Sequence, residues 1–170
     1  LARGDDGLAA MLATARESTL RMAHCLTAFP GVELAFPDSP FVTELTLRLP
    51  VRVKGAIAAA REQGIHLGVD VSGRTGESEG NLLKLSFSDR QTPEDLDKLR
   101  AFFAGYLEGE SGGETPPLPE IPVSALRDAP AGLPAYGVQE VKDYYARLGE
   151  LNVSPDNGCY PLGSCTMKYN

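Results

Sequence analysis

The sequence predicts an α+β fold: a small sandwich of helices on a mainly antiparallel four-stranded sheet, followed by an extended proline-rich arm with one short helix. Three observations support that reading. Apolar residues recur at helical spacing in three separated stretches, apolar and polar residues alternate with a period of two between them, and proline becomes dense beyond residue 109. The resulting order is helix, two strands, helix, two strands, helix over about residues 5–108.

Each element follows from its own pattern. In residues 5–29, Leu8, Met11, Leu12, Ala15, Met22, Leu26 and Phe29 fall on one helical stripe, with Cys25 as a core residue, and Pro30-Gly31 stops the helix. Residues 32–36 read as a strand. So does the longer run in which Phe41, Leu45, Leu47 and Leu49 alternate with Glu44, Thr46 and Arg48; the two pair antiparallel through Pro37-Asp38-Ser39-Pro40. A second helix follows Pro50, with Val53, Ile57 and Ala60 inward, and ends at Gly64, which suits a left-handed C-cap. Residues 65–71 and 82–87 are two more strands around a glycine-rich excursion over 72–80, and alternation puts His66 on the face opposite Ile65 and Leu67. Thr92 caps the last helix, Pro93 takes its first position, and Glu94 and Asp95 favour its positive end. Leu96, Leu99, Phe103 and Tyr106 form its buried stripe.

Beyond this domain (1–108) the composition changes. Gly112-Gly113, Pro116-Pro117, Pro119, Pro122, Pro130 and Pro134 remove backbone donors and favour extended chain, which marks 109–137 as a connector. In the third part, 138–170, Val138, Val141, Tyr145 and Leu148 mark a short amphipathic helix; one of Tyr144 and Tyr145 is expected in a core. A turn-rich segment, Ser154-Pro155-Asp156-Asn157-Gly158, and the final stretch 159–170 follow.

The gross numbers exclude several classes. A formal charge of −7 argues against binding a nucleic-acid backbone, which needs clustered Lys and Arg. No apolar run approaches the roughly 20 residues that span a bilayer. Three cysteines, Cys25, Cys159 and Cys165, lack framework spacing and fit thiols kept reduced in a cytoplasm. Metal binding is not expected, because neither His24 nor His66 is near the cysteine pair in sequence and a structural metal usually takes four ligands. Leu1 is not an initiator Met, and both ends read as cut from something longer.

The stretch from Tyr160 to Asn170, YPLGSCTMKYN, closely resembles the start of the pyridoxal-phosphate half of the P proteins of the glycine cleavage system, in the version split into two subunits. The preceding helix, with Val141, Tyr144, Tyr145, Leu148 and Asn152, sits where that half has a similar helix. Residues 1–108 are similar to the small C-terminal domain of the other, cofactor-less half through Pro30-Gly31-Val32-Glu33-Leu34, Pro40-Phe41, Arg48-Leu49-Pro50, Gly64-Ile65 and Gly68-Val69-Asp70. Such domains occur in many fold-type-I pyridoxal-phosphate enzymes. The order is that of the junction in a fused enzyme. Thr43 stands where the family more often has Asn, and Ser86-Phe87-Ser88-Asp89 where a Thr-Glu pair is common.

The resemblance implies an activity, a cofactor and partners. The activity is pyridoxal-phosphate-dependent release of CO2 from glycine, with transfer of the aminomethyl group to the lipoyl arm of the H protein. The partners are the remaining catalytic portion and the H protein, in a dimeric or heterotetrameric complete enzyme. It also implies that the Schiff-base lysine lies downstream, in a His-Lys segment before a glycine-rich run, so that no catalytic residue is within this chain and the chain alone is inactive. Gly163 lets backbone amides approach an anion while Ser164 and Thr166 offer hydroxyls, so Ser164, Cys165 and Thr166 are candidates to line the cofactor or substrate end. The plainer reading is a turn whose hydroxyls satisfy their own backbone. Lys168 is a candidate partner for a substrate carboxylate or cofactor phosphate, or a surface lysine; it is not expected to form the Schiff base, since nothing around it predicts desolvation. Gly158 and Gly163 mimic a P-loop interval, but Ser164-Cys165 replaces its Lys-Ser/Thr. The alternative function is a non-enzymatic α+β module that binds a small ligand or a partner protein.

Overall fold

In the computed structural model the described residues are 2–76, 80–109, 112 and 116–151, and they divide into two units, one from 2–8 with 129–151 and one from the described part of 9–128. The larger unit is built on a four-stranded, wholly antiparallel sheet in the order β1-β2-β4-β3, from β1 (Glu33–Leu34), β2 (Glu44–Arg48), β3 (Val69–Asp70) and β4 (Leu82–Ser86). Alternation sets its register. Leu45 and Leu47 of β2 lie opposite Leu85 and Leu83 of β4, and all four are buried, while Glu44, Thr46, Lys84 and Ser86 share the other face.

The helices α1 (Gly4–Thr27), α2 (Val53–Glu62) and α3 (Pro93–Tyr106) complete one core with that leucine face. Their contributions are Met22 and Leu26 from α1, Val53, Ala56 and Ala60 from α2, and Leu96, Leu99, Phe102 and Phe103 from α3. On α1 the buried stripe is Ala15, Ser18, Thr19, Met22, Ala23 and Leu26. The Thr19 and Thr27 hydroxyls enter this apolar surrounding satisfied, because each donates at 2.7 Å to the carbonyl four residues back, Ala15 and Ala23. The stripe expected from sequence is displaced at its start: Leu8 and Leu12 are exposed, and core contact begins at Ala15.

Helix ends match their local signals. Past α2, Gly64 takes φ +73°, its N–H donates to the Arg61 carbonyl, and Ile65 N–H reaches back to Ala60 at 2.9 Å, the two bonds of a Schellman motif. Past α3 the same geometry recurs with a residue that dislikes it: Glu108 adopts φ +50° and Gly109 N–H donates to the Ala104 carbonyl.

The third strand is shorter than the expected 65–71. Its ladder pairs with β4 begin at Val69, because Gly68 turns the chain with φ +131° and lays its backbone against the Lys84 carbonyl, where a Cβ would overlap that oxygen; beyond Asp70 the Val71 N–H still donates to the Leu82 carbonyl at 3.0 Å. Leu82 is buried although alternation puts it on the Lys84 face; its N–H donates to the Ser72 hydroxyl of the 3-10 turn Ser72–Arg74.

In the smaller unit, the Asp5 carboxylate accepts from the backbone N–H of Gly132 (2.7 Å) and Leu133 (2.9 Å), and α4 (Val138–Glu150) buries none of its side chains. Tyr144 and Tyr145 are both exposed, edge to face at 5.4 Å, so neither is the core residue expected.

Candidate functional site

Ser164, Cys165, Thr166 and Lys168, the candidates for the cofactor or substrate end, lie outside the described residues, together with Cys159 and the rest of 152–170. What the structure positions is the domain in front of them. Its chemistry gathers at the end of the sheet where β4, α3 and the segment after α2 meet.

Three pieces build that region. The 87–91 turn is fixed by its own polar side chains: Ser88 donates from both N–H and hydroxyl to the Gln91 Oε1 (2.7 and 3.0 Å), and Arg90 N–H donates to the Ser88 hydroxyl. Helix α3 begins in a capping box. The Thr92 hydroxyl accepts from Asp95 N–H, while the Asp95 carboxylate accepts from Thr92 N–H at 2.9 Å. That backbone N–H holds the Asp95 carboxyl below its ordinary range, and Glu94 is lowered likewise, first by a backbone N–H at its own position. The Schellman turn sets the third piece, 63–67, with His66 outward and Leu67 buried. Between them lies a cleft of about 610 Å³ whose lining includes Leu67, Leu85, Leu99 and Phe102 below and His66, Arg90 and Lys98 above.

The outer sheet face carries a second polar group. Lys84 Nζ lies 2.7 Å from the Glu44 carboxylate and, with its hydrogen bond, pulls the Glu44 pKa down; the Ser86 hydroxyl donates weakly to the same carboxylate at 3.4 Å. Asp70 is lowered by the Ser72 side chain and backbone. Of the atypical positions noted in sequence, Ser88 holds the turn, whereas at Thr43 it is the backbone carbonyl that accepts from Phe87 N–H at 2.8 Å, extending the β2–β4 ladder independently of the side chain.

An imine-forming lysine needs a desolvated amine. Lys54, Lys98 and Lys142 are exposed and Lys84 is paired with Glu44, so the described lysines do not fit a pyridoxal-phosphate anchor. Among the described residues there is no group of three His, Cys, Asp or Glu able to hold a metal, and no helix long and apolar enough to cross a membrane. Cys25 packs against the core half-buried, and burial pushes its thiol pKa up against the opposing pull of Arg100 and Arg21. Sequence reasoning did not single out Arg90 or Lys98; they belong to no motif, and only the fold brings them beside His66.

No family model matches the chain. It is 53% identical over 51 residues to the probable glycine dehydrogenase (decarboxylating) subunit 2 of Pyrococcus abyssi, covering 30% of this chain and 10% of that protein. To the same subunit of Caulobacter vibrioides it is 45% identical over 65 residues, covering 36% of this chain and 12% of the relative; for Kosmotoga olearia the figures are 48% over 67 residues, 39% and 14%. Among solved structures it superposes with a TM-score of 0.55 and 28% identity on an inhibitor-bound glycine decarboxylase (P-protein) of the glycine cleavage system, covering 61% of this chain and 23% of that one. The chain thus spans only 10% to 14% of the curated relatives named here. Over those stretches in sequence, and over most of its length in fold, it resembles glycine dehydrogenase (decarboxylating), the P protein of the glycine cleavage system.

Proposed function

We propose that this chain is a piece of the pyridoxal-phosphate-dependent decarboxylase that releases CO2 from glycine and transfers the aminomethyl group to the lipoyl arm of the H protein. The observation that carries the reading is 53% identity over 51 residues to a glycine dehydrogenase (decarboxylating) subunit, in a chain whose fold aligns with a P-protein. In this reading residues 1–108 are a small accessory domain, 109–137 an extended proline-rich connector, and 138–170 the start of the catalytic domain. Ser164, Cys165 and Thr166 would then line the substrate or cofactor end, with Lys168 pairing an anionic group. The partners are the remaining catalytic portion and the H protein, in a dimeric or heterotetrameric cytoplasmic enzyme.

The lysine that anchors the cofactor belongs, in this proposal, to polypeptide other than these 170 residues. Two facts support that. The described lysines do not fit the role, and the two histidines are followed by Cys25 and Leu67 rather than by Lys. No reaction step is therefore assigned to a residue of this chain.

The test is glycine-dependent exchange of labelled bicarbonate with pyridoxal phosphate and lipoylated H protein supplied. The purified chain is expected to show none, and a longer polypeptide that contains this sequence and a His-Lys, glycine-rich segment is expected to show it. Exchange by the chain alone, or none by the longer protein, overturns the proposal.

A further inference from the structure

The cleft beside α3 has features that its role as a packed corner does not require. Its volume, about 610 Å³, lies within the range of about 300–1,000 Å³ that small-molecule sites occupy. Its walls are fixed by their own hydrogen bonds, the Ser88–Gln91 turn, the Thr92–Asp95 box and the Schellman turn at Gly64, so it is formed without a ligand. A preformed site spends little binding energy on ordering.

The two layers of the lining differ in chemistry. Leu67, Leu85, Leu99 and Phe102 make an aliphatic and aromatic floor whose exposures are all 9% or less. His66, Arg90 and Lys98 stand exposed at the rim, on a chain whose net charge is −7. The one carboxylate in the lining, Asp95, is committed to the Thr92 N–H and hydroxyl at 2.9 and 3.2 Å. Lys98 already acts on Glu94 and Asp95, so the larger share of an anion's attraction falls to Arg90, whose guanidinium no ion pair engages among the described residues. A guanidinium presents paired donors matched to a carboxylate.

We propose that this cleft, between the 63–67 segment, the end of β4 and α3, binds a small monocarboxylate with an apolar body, the carboxylate at Arg90 and Lys98 and the body over Phe102 and Leu99. The floor offers too few donors for a nucleotide, and the cationic rim disfavours an amine. This inference does not depend on the decarboxylase reading, because every residue it uses lies within 63–102.

The test is a titration of the full 170-residue chain by two-dimensional 1H–15N spectroscopy with three probes: phenylacetate, its neutral isostere phenylacetamide, and acetate. Phenylacetate is expected to shift the amides of 64–67, 87–91 and 98–102 saturably, with a Kd on the order of 1 mM for a ligand of its size. Phenylacetamide is expected to bind about tenfold more weakly for loss of the charge-assisted bonds, and acetate not to saturate in the same range. Arg90→Gln is expected to weaken phenylacetate by roughly five- to tenfold at an unchanged thermal midpoint, and Lys98→Gln by less. No saturable shift at these amides, or equal binding of acid and amide, overturns the proposal. The comparison of acid with amide uses the unaltered protein and decides the matter even if a variant fails to fold.

Discussion

Thr92 and Asp95 hold each other across the first turn of α3, the Thr92 hydroxyl accepting from Asp95 N–H at 3.3 Å and the Asp95 carboxylate from Thr92 N–H at 2.9 Å. Both bonds satisfy backbone donors that a helix start leaves without partners. Thr92→Ala removes one of them and is expected to cost about 1 kcal/mol in urea denaturation. The loss should be the same in about 1 M salt, since it is a lost hydrogen bond rather than a screened charge pair. A variant as stable as the parent would mean that the cap contributes nothing.

The depressed carboxylates give acid sensitivity a definite sign. Asp95, Glu94, Asp70 and Glu44 all sit below their ordinary values of 3.8 for Asp and 4.5 for Glu, chiefly through backbone N–H groups for Asp95 and Glu94, Ser72 for Asp70 and Lys84 for Glu44. A carboxyl with a lower pKa folded than unfolded adds stability that is complete above its unfolded value and fades as pH falls through the folded one. The urea midpoint is therefore expected to hold down to about pH 5 and to drop between there and about pH 3. Because these groups are exposed or nearly so, each share is small. Asp70→Asn should shallow the acid slope, and an unchanged slope would show that the Ser72 contacts do not favour the ionised carboxylate.

Gly68 is the position where the backbone leaves least choice. Its φ of +131° is one that residues with a Cβ rarely adopt, and a Cβ there would overlap the Lys84 carbonyl oxygen. Gly68→Ala is expected to destabilise by at least about 2 kcal/mol, strain and overlap combined. Gly73→Ala is the control. A Cβ there meets nothing within 4 Å, and its effect should stay within about 0.5 kcal/mol. Equal effects at the two sites would refute the close approach of Gly68 to β4.

How much of this was legible in the sequence follows from the range of the interactions. The start of α3 depends on four consecutive residues, Thr92 to Asp95, and the end of α2 on Gly64, so both were readable locally. The leucine face of β2 and β4 was readable as alternation. By contrast, the shortening of β3 depends on Gly68 meeting Lys84, sixteen positions away, and no pattern within 65–71 announces it. The apolar residues of the first turns of α1 carry the helical period, yet Leu8 and Leu12 stay exposed, because periodicity reports a stripe and not what covers it. The same holds for Tyr144 and Tyr145 on α4. Arg90 and Lys98 come to line one cleft only once the 87–91 turn and α3 are folded, and the reading of Ser164, Cys165 and Thr166 rests on a resemblance to a family, at positions outside the described residues.

The end of α3 offers a stabilising substitution. Glu108 holds φ +50° so that Gly109 N–H can close the helix on the Ala104 carbonyl at 3.3 Å, a position glycine usually fills. A residue with a Cβ pays about 1 kcal/mol for that conformation, and an acidic one also faces the negative end of the helix. Glu108→Gly relieves both, against the extra entropy glycine has in the unfolded chain, for an expected net gain of about 0.5–1 kcal/mol. Glu108→Ala separates the two causes, because it removes the charge and keeps the Cβ. If the alanine variant gains as much as the glycine variant, the charge and not the left-handed backbone is what destabilises this helix end; if neither gains, Glu108 is not strained.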